Sequence, residues 1–166
     1  MVLRPASADE SLHAPGDGDG WHEVFELGFA VPDGSIAGAV VLTIVPAQQR
    51  SWFWAAVVGR GRPLVAVYED DAPLPRRNAV ELRTSGLWVD VEVEVPFDHV
   101  TLGVESFGLV FDDPDEVLGA ARGHRTPVGF DLEWESDPAT VRAAAGGFDV
   151  PCRVHGDVLL GQEIVA

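Results

Sequence analysis

Apolar residues in this chain recur at every second position, in short runs cut by turn residues, and that rhythm admits little besides antiparallel β-structure. Residues 87–95 alternate without a break: Leu87, Val89, Val91, Val93 and Val95 on one side, Trp88, Asp90, Glu92 and Glu94 on the other. Successive side chains of a strand point to opposite faces, so such a segment has one dry face and one wet face. Val128, Phe130, Leu132 and Trp134 oppose Gly129, Asp131, Glu133 and Glu135 in the same way. Further strands are predicted at 22–30, 36–45, 51–58, 62–69, 79–84, 99–105, 106–112, 126–135, 148–155 and 157–164. Pro32-Asp33-Gly34, Gly59-Arg60-Gly61, Pro73-Leu74-Pro75 and Ser85-Gly86 separate several of them with turn chemistry. The spacing suits hairpins and is too short for repeated parallel crossovers. Asp113-Pro114-Asp115-Glu116 opens a short helix to about Arg122, and Asp137-Pro138 starts another that ends before Gly146-Gly147. The fold class is therefore all-β, an antiparallel barrel or sandwich of about 9–11 strands with one or two short helices. The acidic, glycine-rich segment 1–20 reads as a flexible N-terminal arm, with 21–166 forming a single domain.

Three early strands lack a wet face. In 36–45, Ile36, Val40, Leu42 and Ile44 oppose Ala37, Ala39, Val41 and Val45. In 51–58, Trp52, Trp54 and Ala56 oppose Phe53, Ala55 and Val57, and in 62–68 Leu64, Ala66 and Tyr68 oppose Val65 and Val67. One face can line the interior. The other needs a helix, a second domain or another subunit to cover it.

Charge excludes several partners. The chain carries 27 acidic side chains against 11 basic ones, a net charge of −16, so nucleic acid and anionic membrane are poor partners. All the basic residues are arginine, which removes Schiff-base chemistry and the lysine of a phosphate-binding loop. The lone Cys152 allows no internal disulfide and points to a reducing cytoplasm. No apolar stretch in the first 20 residues resembles a secretory signal, and no run approaches the ~20 apolar residues of a membrane span.

No complete catalytic motif is present. His13, His22, His99, His124 and His155 are scattered without metal-ligand spacing, so no metal or cofactor is expected. Asp17-Gly18-Asp19-Gly20 resembles the start of a calcium loop, but the twelfth position is Gly28 where a glutamate is required. Cys152 and His155 fall on opposite faces of a regular strand, and no Gly-x-Ser-x-Gly or GxGxxG motif occurs. Two carboxylates stand out as catalytic candidates. Glu23 shares strand parity with Phe25, Leu27 and Phe29, and Glu105 shares it with Phe107, Leu109 and Phe111. Inside an aromatic-lined barrel either would be desolvated into an acid near neutrality; at a rim, or paired, either is structural.

The segments Trp21–Phe25, 86–118, 122–136 (RGHRTPVGFDLEWES) and 150–163 (VPCRVHGDVLLGQE) resemble the N-terminal half of a group of actinobacterial proteins. These are in turn similar to the hydroxyneurosporene synthase (carotenoid 1,2-hydratase) group. The resemblance implies tandem lipocalin-like barrels, of which this chain would supply the first, and apolar polyene, isoprenoid or polyketide-like ligands. Val100 follows His99 where that group tends to carry tryptophan, and the second-barrel motif Arg-Asp-His-Ser-Trp-Gly is absent before the sequence ends at Ala166. The leading expectation is a lipocalin-like module that binds an apolar small molecule, a second barrel or a homodimer partner. Trp52, Phe53 and Trp54 are its main contact residues, joined by Phe25, Phe29, Tyr68 and Phe107. One alternative is a hydratase or cyclase in which Glu105 or Glu23 protonates a double bond. Another is half of a split protein completed by a separately encoded barrel.

Overall fold

The computed structural model describes residues 5–76, 79–119, 123–144 and 146–165. Its strands are β1 (Glu23–Ala30), β2 (Ala37–Val45), β3 (Arg50–Gly59), β4 (Arg62–Ala72), β5 (Val80–Arg83), β6 (Leu87–Val95), β7 (His99–Phe111), β8 (His124–Ser136), β9 (Arg142–Ala144), β10 (Gly147–Asp149), β11 (Cys152–Leu160) and β12 (Glu163–Val165). Every pairing is antiparallel. The principal sheet runs β1-β2-β3-β4-β7-β8-β11-β12, with β5 and β6 forming a branch on β7 and β9 and β10 a separate ribbon. The expected all-β, antiparallel class is what the chain adopts: a curled sheet forming a half-barrel.

The branch explains one departure from the predicted elements. Segments 99–105 and 106–112 are a single strand, because β7 serves two neighbours along the same edge: β6 pairs with His99–Ser106 and β4 with Leu109–Phe111, while β8 lines the other edge. Gly108 sits where β4 takes over. A Cβ there would come 2.8 Å from the Ala66 carbonyl oxygen, so the absent side chain permits close approach and does not end the strand. At the C-terminus the ladder likewise runs through Gly156, where a Cβ would meet the Asp131 oxygen at 2.0 Å, and the chain reverses at Gly161. The two predicted helices shrink to 3-10 turns, Pro114–Leu118 and Pro138–Thr140, capped by the side chains of Asp113 and Asp137 accepting from Asp115 and Ala139. The predicted end of the first, near Arg122, lies outside the described residues.

The interior is built by alternation. Val40, Leu42 and Ile44 of β2, Phe53, Ala55 and Val57 of β3, and Val65 and Val67 of β4 face Val128, Phe130, Leu132 and Trp134 of β8 in one buried cluster. Phe25, Leu27 and Phe29 of β1 pack against it from the edge. Two contacts fold β1 onto β8: the Phe29 and Phe130 rings meet edge-on at 6.0 Å, and Trp134 Nε1–H donates to the Gly28 carbonyl at 2.8 Å.

Three residues of the N-terminal arm, Glu10, Leu12 and His13, contact the body of the domain. A 3-10 turn at Ser7–Glu10 places the Glu10 carboxylate to accept the Phe97 N–H, and Leu12 packs against the core cluster. His13 then meets Glu23 at the start of β1, its Nδ1 at 2.5 Å from one carboxylate oxygen and its backbone N–H donating to the other at 3.0 Å. Among the described residues no helix is long and apolar enough to cross a membrane.

Candidate functional site

Alternation also decides which aromatic residues are available. In β3 the inward set is Ser51, Phe53, Ala55 and Val57, all nearly inaccessible, and the outward set is Trp52, Trp54, Ala56 and Val58. Phe53 is 0% exposed, which corrects its placement among the contact residues: its parity points it into the core. Phe25 and Phe29 are likewise interior packing residues at the β1 edge. Trp52, Trp54, Tyr68 and Phe107 are 37%, 42%, 73% and 51% exposed.

These four lie on one surface. Trp54 stands opposite Tyr68 across β3–β4 and opposite Val41 across β2–β3. On β4 and β7 the register places Ala66 opposite Leu109, which leaves Tyr68 and Phe107 as the next outward positions along the two strands. Val58 and Val24 extend the apolar surface at 45% and 47% exposure. Part of the outer face is already covered, since the Pro114–Leu118 turn packs over β4 and β7 beside the buried Leu64 and Phe111. The aromatic row lies beyond that cover.

Arginines complete the surface. The Arg50 guanidinium lies 5.7 Å from the centre of the Trp52 ring, and that of Arg125 lies 4.2 Å above Phe107. Such cation–π contacts contribute on the order of 0.5–1 kcal/mol at exposed sites. The Arg50–Trp52 pairing is legible as residues i and i+2 of a strand. The Arg125–Phe107 pairing needed the β7–β8 register, in which Phe107 faces Pro127 and Leu109 faces Arg125.

The carboxylate candidates separate. Glu105 is exposed on the outer face of β7, so the dry surroundings that an internal acid requires are missing. Its parity with Phe107 and Phe111 is real, but that whole set points outward. Glu23 stands at the β1 rim, held by His13. The interior holds a buried apolar cluster, and a groove of about 620 Å3 lies between the arm and β5–β6, open to solvent and lined by Glu10, Leu12, Val80 and Val93 among others. Partial burial raises the Glu10 carboxyl above its ordinary range, against the opposing pull of the Phe97 N–H.

Farther along the same outer surface the sheet is acidic and wet. Across β5–β6–β7–β8–β11 one cross-strand row reads Glu81, Asp90, Gly103, Asp131 and Asp157. His99 sits between Glu94 at 3.3 Å and Glu133 at 3.5 Å, and His155 lies 3.7 Å from Glu135. Among the described residues no three or more His, Cys, Asp or Glu side chains are arranged to hold a metal ion. Cys152 is exposed, its thiol donating to the Val150 carbonyl at 3.1 Å, and partial desolvation raises its pKa.

A closed apolar core, an open-edged antiparallel half-barrel and an uncovered aromatic face with stacked arginines define a β-domain whose accessible chemistry is on its outside. The chain belongs to the DUF7064 family, a domain of unknown function, whose profile matches residues 6–166. No curated protein and no solved structure matches the chain.

Proposed function

We propose that this protein is a docking module: the outer face of β2, β3, β4 and the end of β7 packs against another folded domain, and the chain performs no chemistry by itself. The observation that carries the reading is the contiguous exposure of Trp52, Trp54, Tyr68 and Phe107 on a sheet whose other face is already a filled core. Large aromatic side chains dominate the energetics of protein interfaces, and contiguous exposed apolar surface is uncommon on a solitary soluble domain. The buried apolar cluster argues against a ligand held inside the barrel, and the exposed, outward position of Glu105 argues against it as an internal acid catalyst. The resemblance to the hydroxyneurosporene synthase group favours a second lipocalin-like barrel as the covering domain, in the cytoplasm.

The direct test combines light scattering with binding of a hydrophobic reporter dye to the isolated chain. Dye fluorescence is expected to rise on the wild type and to fall by more than half in the Trp52→Ser/Trp54→Ser variant. A monomer that binds no dye, with both tryptophans shielded from quenchers, removes the reading.

A further inference from the structure

We propose that β1 is the seam of a two-fold dimer, in which Glu23–Ala30 pairs antiparallel with the same strand of a second copy and joins the two half-barrel sheets. This goes beyond the docking face of β2–β4 and uses a different part of the molecule. The principal sheet does not close: among the described residues β1 pairs with β2 on one side and with no strand on the other. An unpaired strand carries a row of backbone donors and acceptors that template a further strand.

Which groups point outward follows from the hairpin. The Val31 N–H donates to the Ile36 carbonyl at 2.9 Å, and the register runs from there without a shift to Glu23 and Ile44. Residues directly opposite alternate between hydrogen-bonded and non-bonded pairs. Glu23, Phe25, Leu27 and Phe29 therefore bond to β2, whereas Val24, Glu26, Gly28 and Ala30 turn their N–H and C=O groups to the free edge. The Trp134 indole agrees with that phase, since it donates to the Gly28 carbonyl at 2.8 Å. Among the described residues no other hydrogen bond reaches the backbone of these four. The usual protections of an edge are missing. β1 is eight residues long, with no proline and no bulge, and Glu26 is the only charge in Val24–Ala30; β12, at the far end of the sheet, has three residues.

Symmetry selects a second copy as the occupant. Phe25 and Phe29 flank Leu27 at equal spacing. A two-fold axis at Leu27 sets Phe25 opposite Phe29 of the second copy and Leu27 opposite its own counterpart, in the non-bonded pairs where side chains lie closest. Val24–Ala30 and Glu26–Gly28 become the hydrogen-bonded pairs, which matches the outward phase. Each larger outer side chain thereby meets a smaller one, and the Gly28 carbonyl keeps a second lone pair beside its bond to Trp134. Glu26 faces glycine, and its own counterpart lies only diagonally; like charges directly opposite would destabilise the pair. Phe25, Leu27 and Phe29 are only partly buried at this edge, and pairing covers them. The net charge of −16 on each copy opposes association at long range, so salt strengthens the dimer.

Sedimentation velocity of the full chain, over a range of concentration and sodium chloride, tests the seam. A dimer is expected, tighter at high salt. Glu26→Pro removes an edge donor that β2 does not use, so the variant should fold by circular dichroism and self-associate more weakly by roughly tenfold or more. A second measurement needs no proline. Val24→Cys and Ala30→Cys chains, both in a Cys152→Ser background, are mixed and treated with a short cysteine-specific cross-linker. Cross-links between the two chains are expected, and none within Val24→Cys alone, whose cysteines stand roughly 20 Å apart along the seam. If Glu26→Pro does not fold, this pattern decides alone. A monomer at every concentration, a dimer that folded Glu26→Pro leaves intact, or cross-links that ignore the register overturn the seam. A dimer lost in Trp52→Ser/Trp54→Ser and unchanged in Glu26→Pro runs through the docking face and also overturns it. A seam dimer that binds no hydrophobic dye overturns the docking reading and leaves the seam standing.

Discussion

Among the described residues Ser51 is the one buried polar or charged residue, 0% exposed, and its hydroxyl has no hydrogen-bond partner there. It lies on the inward face of β3, opposite Ile44 of β2 and Ala72 of β4, so its surroundings are aliphatic. A hydroxyl withdrawn from water without a compensating bond costs roughly 1–3 kcal/mol by mutational measures. Ser51→Ala removes the oxygen and keeps the Cβ, so the cavity left is about one atom and the offsetting loss of packing is a few tenths of a kcal/mol. The expected result is a gain of about 1 kcal/mol. For a domain of 166 residues that corresponds to a melting temperature raised by roughly 2–4 °C. Reversible urea unfolding, followed by tryptophan fluorescence, should show a higher midpoint with an unchanged slope, since the folded and unfolded surfaces are the same. A destabilisation of about 0.5 kcal/mol or more would show that the hydroxyl is satisfied in solution and that the reasoning is wrong.

Trp134→Phe keeps an aromatic ring in the core but removes the donor to the Gly28 carbonyl, and should destabilise by about 1–2 kcal/mol. The loss should localise to the β1 edge, so amide exchange in β1 should accelerate more than in β2 and β3; uniform acceleration would count against the bridging role. Glu163 is held below the usual carboxylate range by its bond to Arg62, so its contribution is present above the ordinary glutamate value of about 4.3 and is lost as pH falls through the depressed one. Melting temperatures of wild type and Glu163→Gln should therefore differ near neutrality and converge in acid; a gap that persists in acid contradicts the assignment. For Glu10, which burial raises, the sign is reversed: the favourable contribution is complete below the ordinary value and lost as pH rises through the raised one. Glu10→Gln should accordingly tighten the arm at neutral pH, slowing exchange of the Phe97 amide, and change nothing in acid.

Much of the half-barrel was legible in local pattern. β6 has the predicted limits, Leu87–Val95, because strict alternation between valine and acid leaves one register in which the apolar side is dry. The surplus of apolar positions in β2–β4 was equally readable. Glycine misled where it served packing: Gly156 fell between two predicted strands and is a point of backbone contact inside one. The contacts of the arm, Phe97 for Glu10 and Glu23 for His13, were not legible because the partners are remote in sequence or on another element.

The sequence by itself determined the strand periodicity, the antiparallel class and the existence of two apolar faces, since these follow from side-chain parity along each segment. Only the tertiary structure decided which face is the core. Phe53 and Trp54 are adjacent and chemically alike; one is sealed and the other exposed because the sheet curls toward β8, bringing Phe130 and Trp134 over Phe29 and Gly28. The placement of Arg125 over Phe107 belongs to the same category, since cross-strand register is set by closure of the whole sheet and not by the residues of either strand alone.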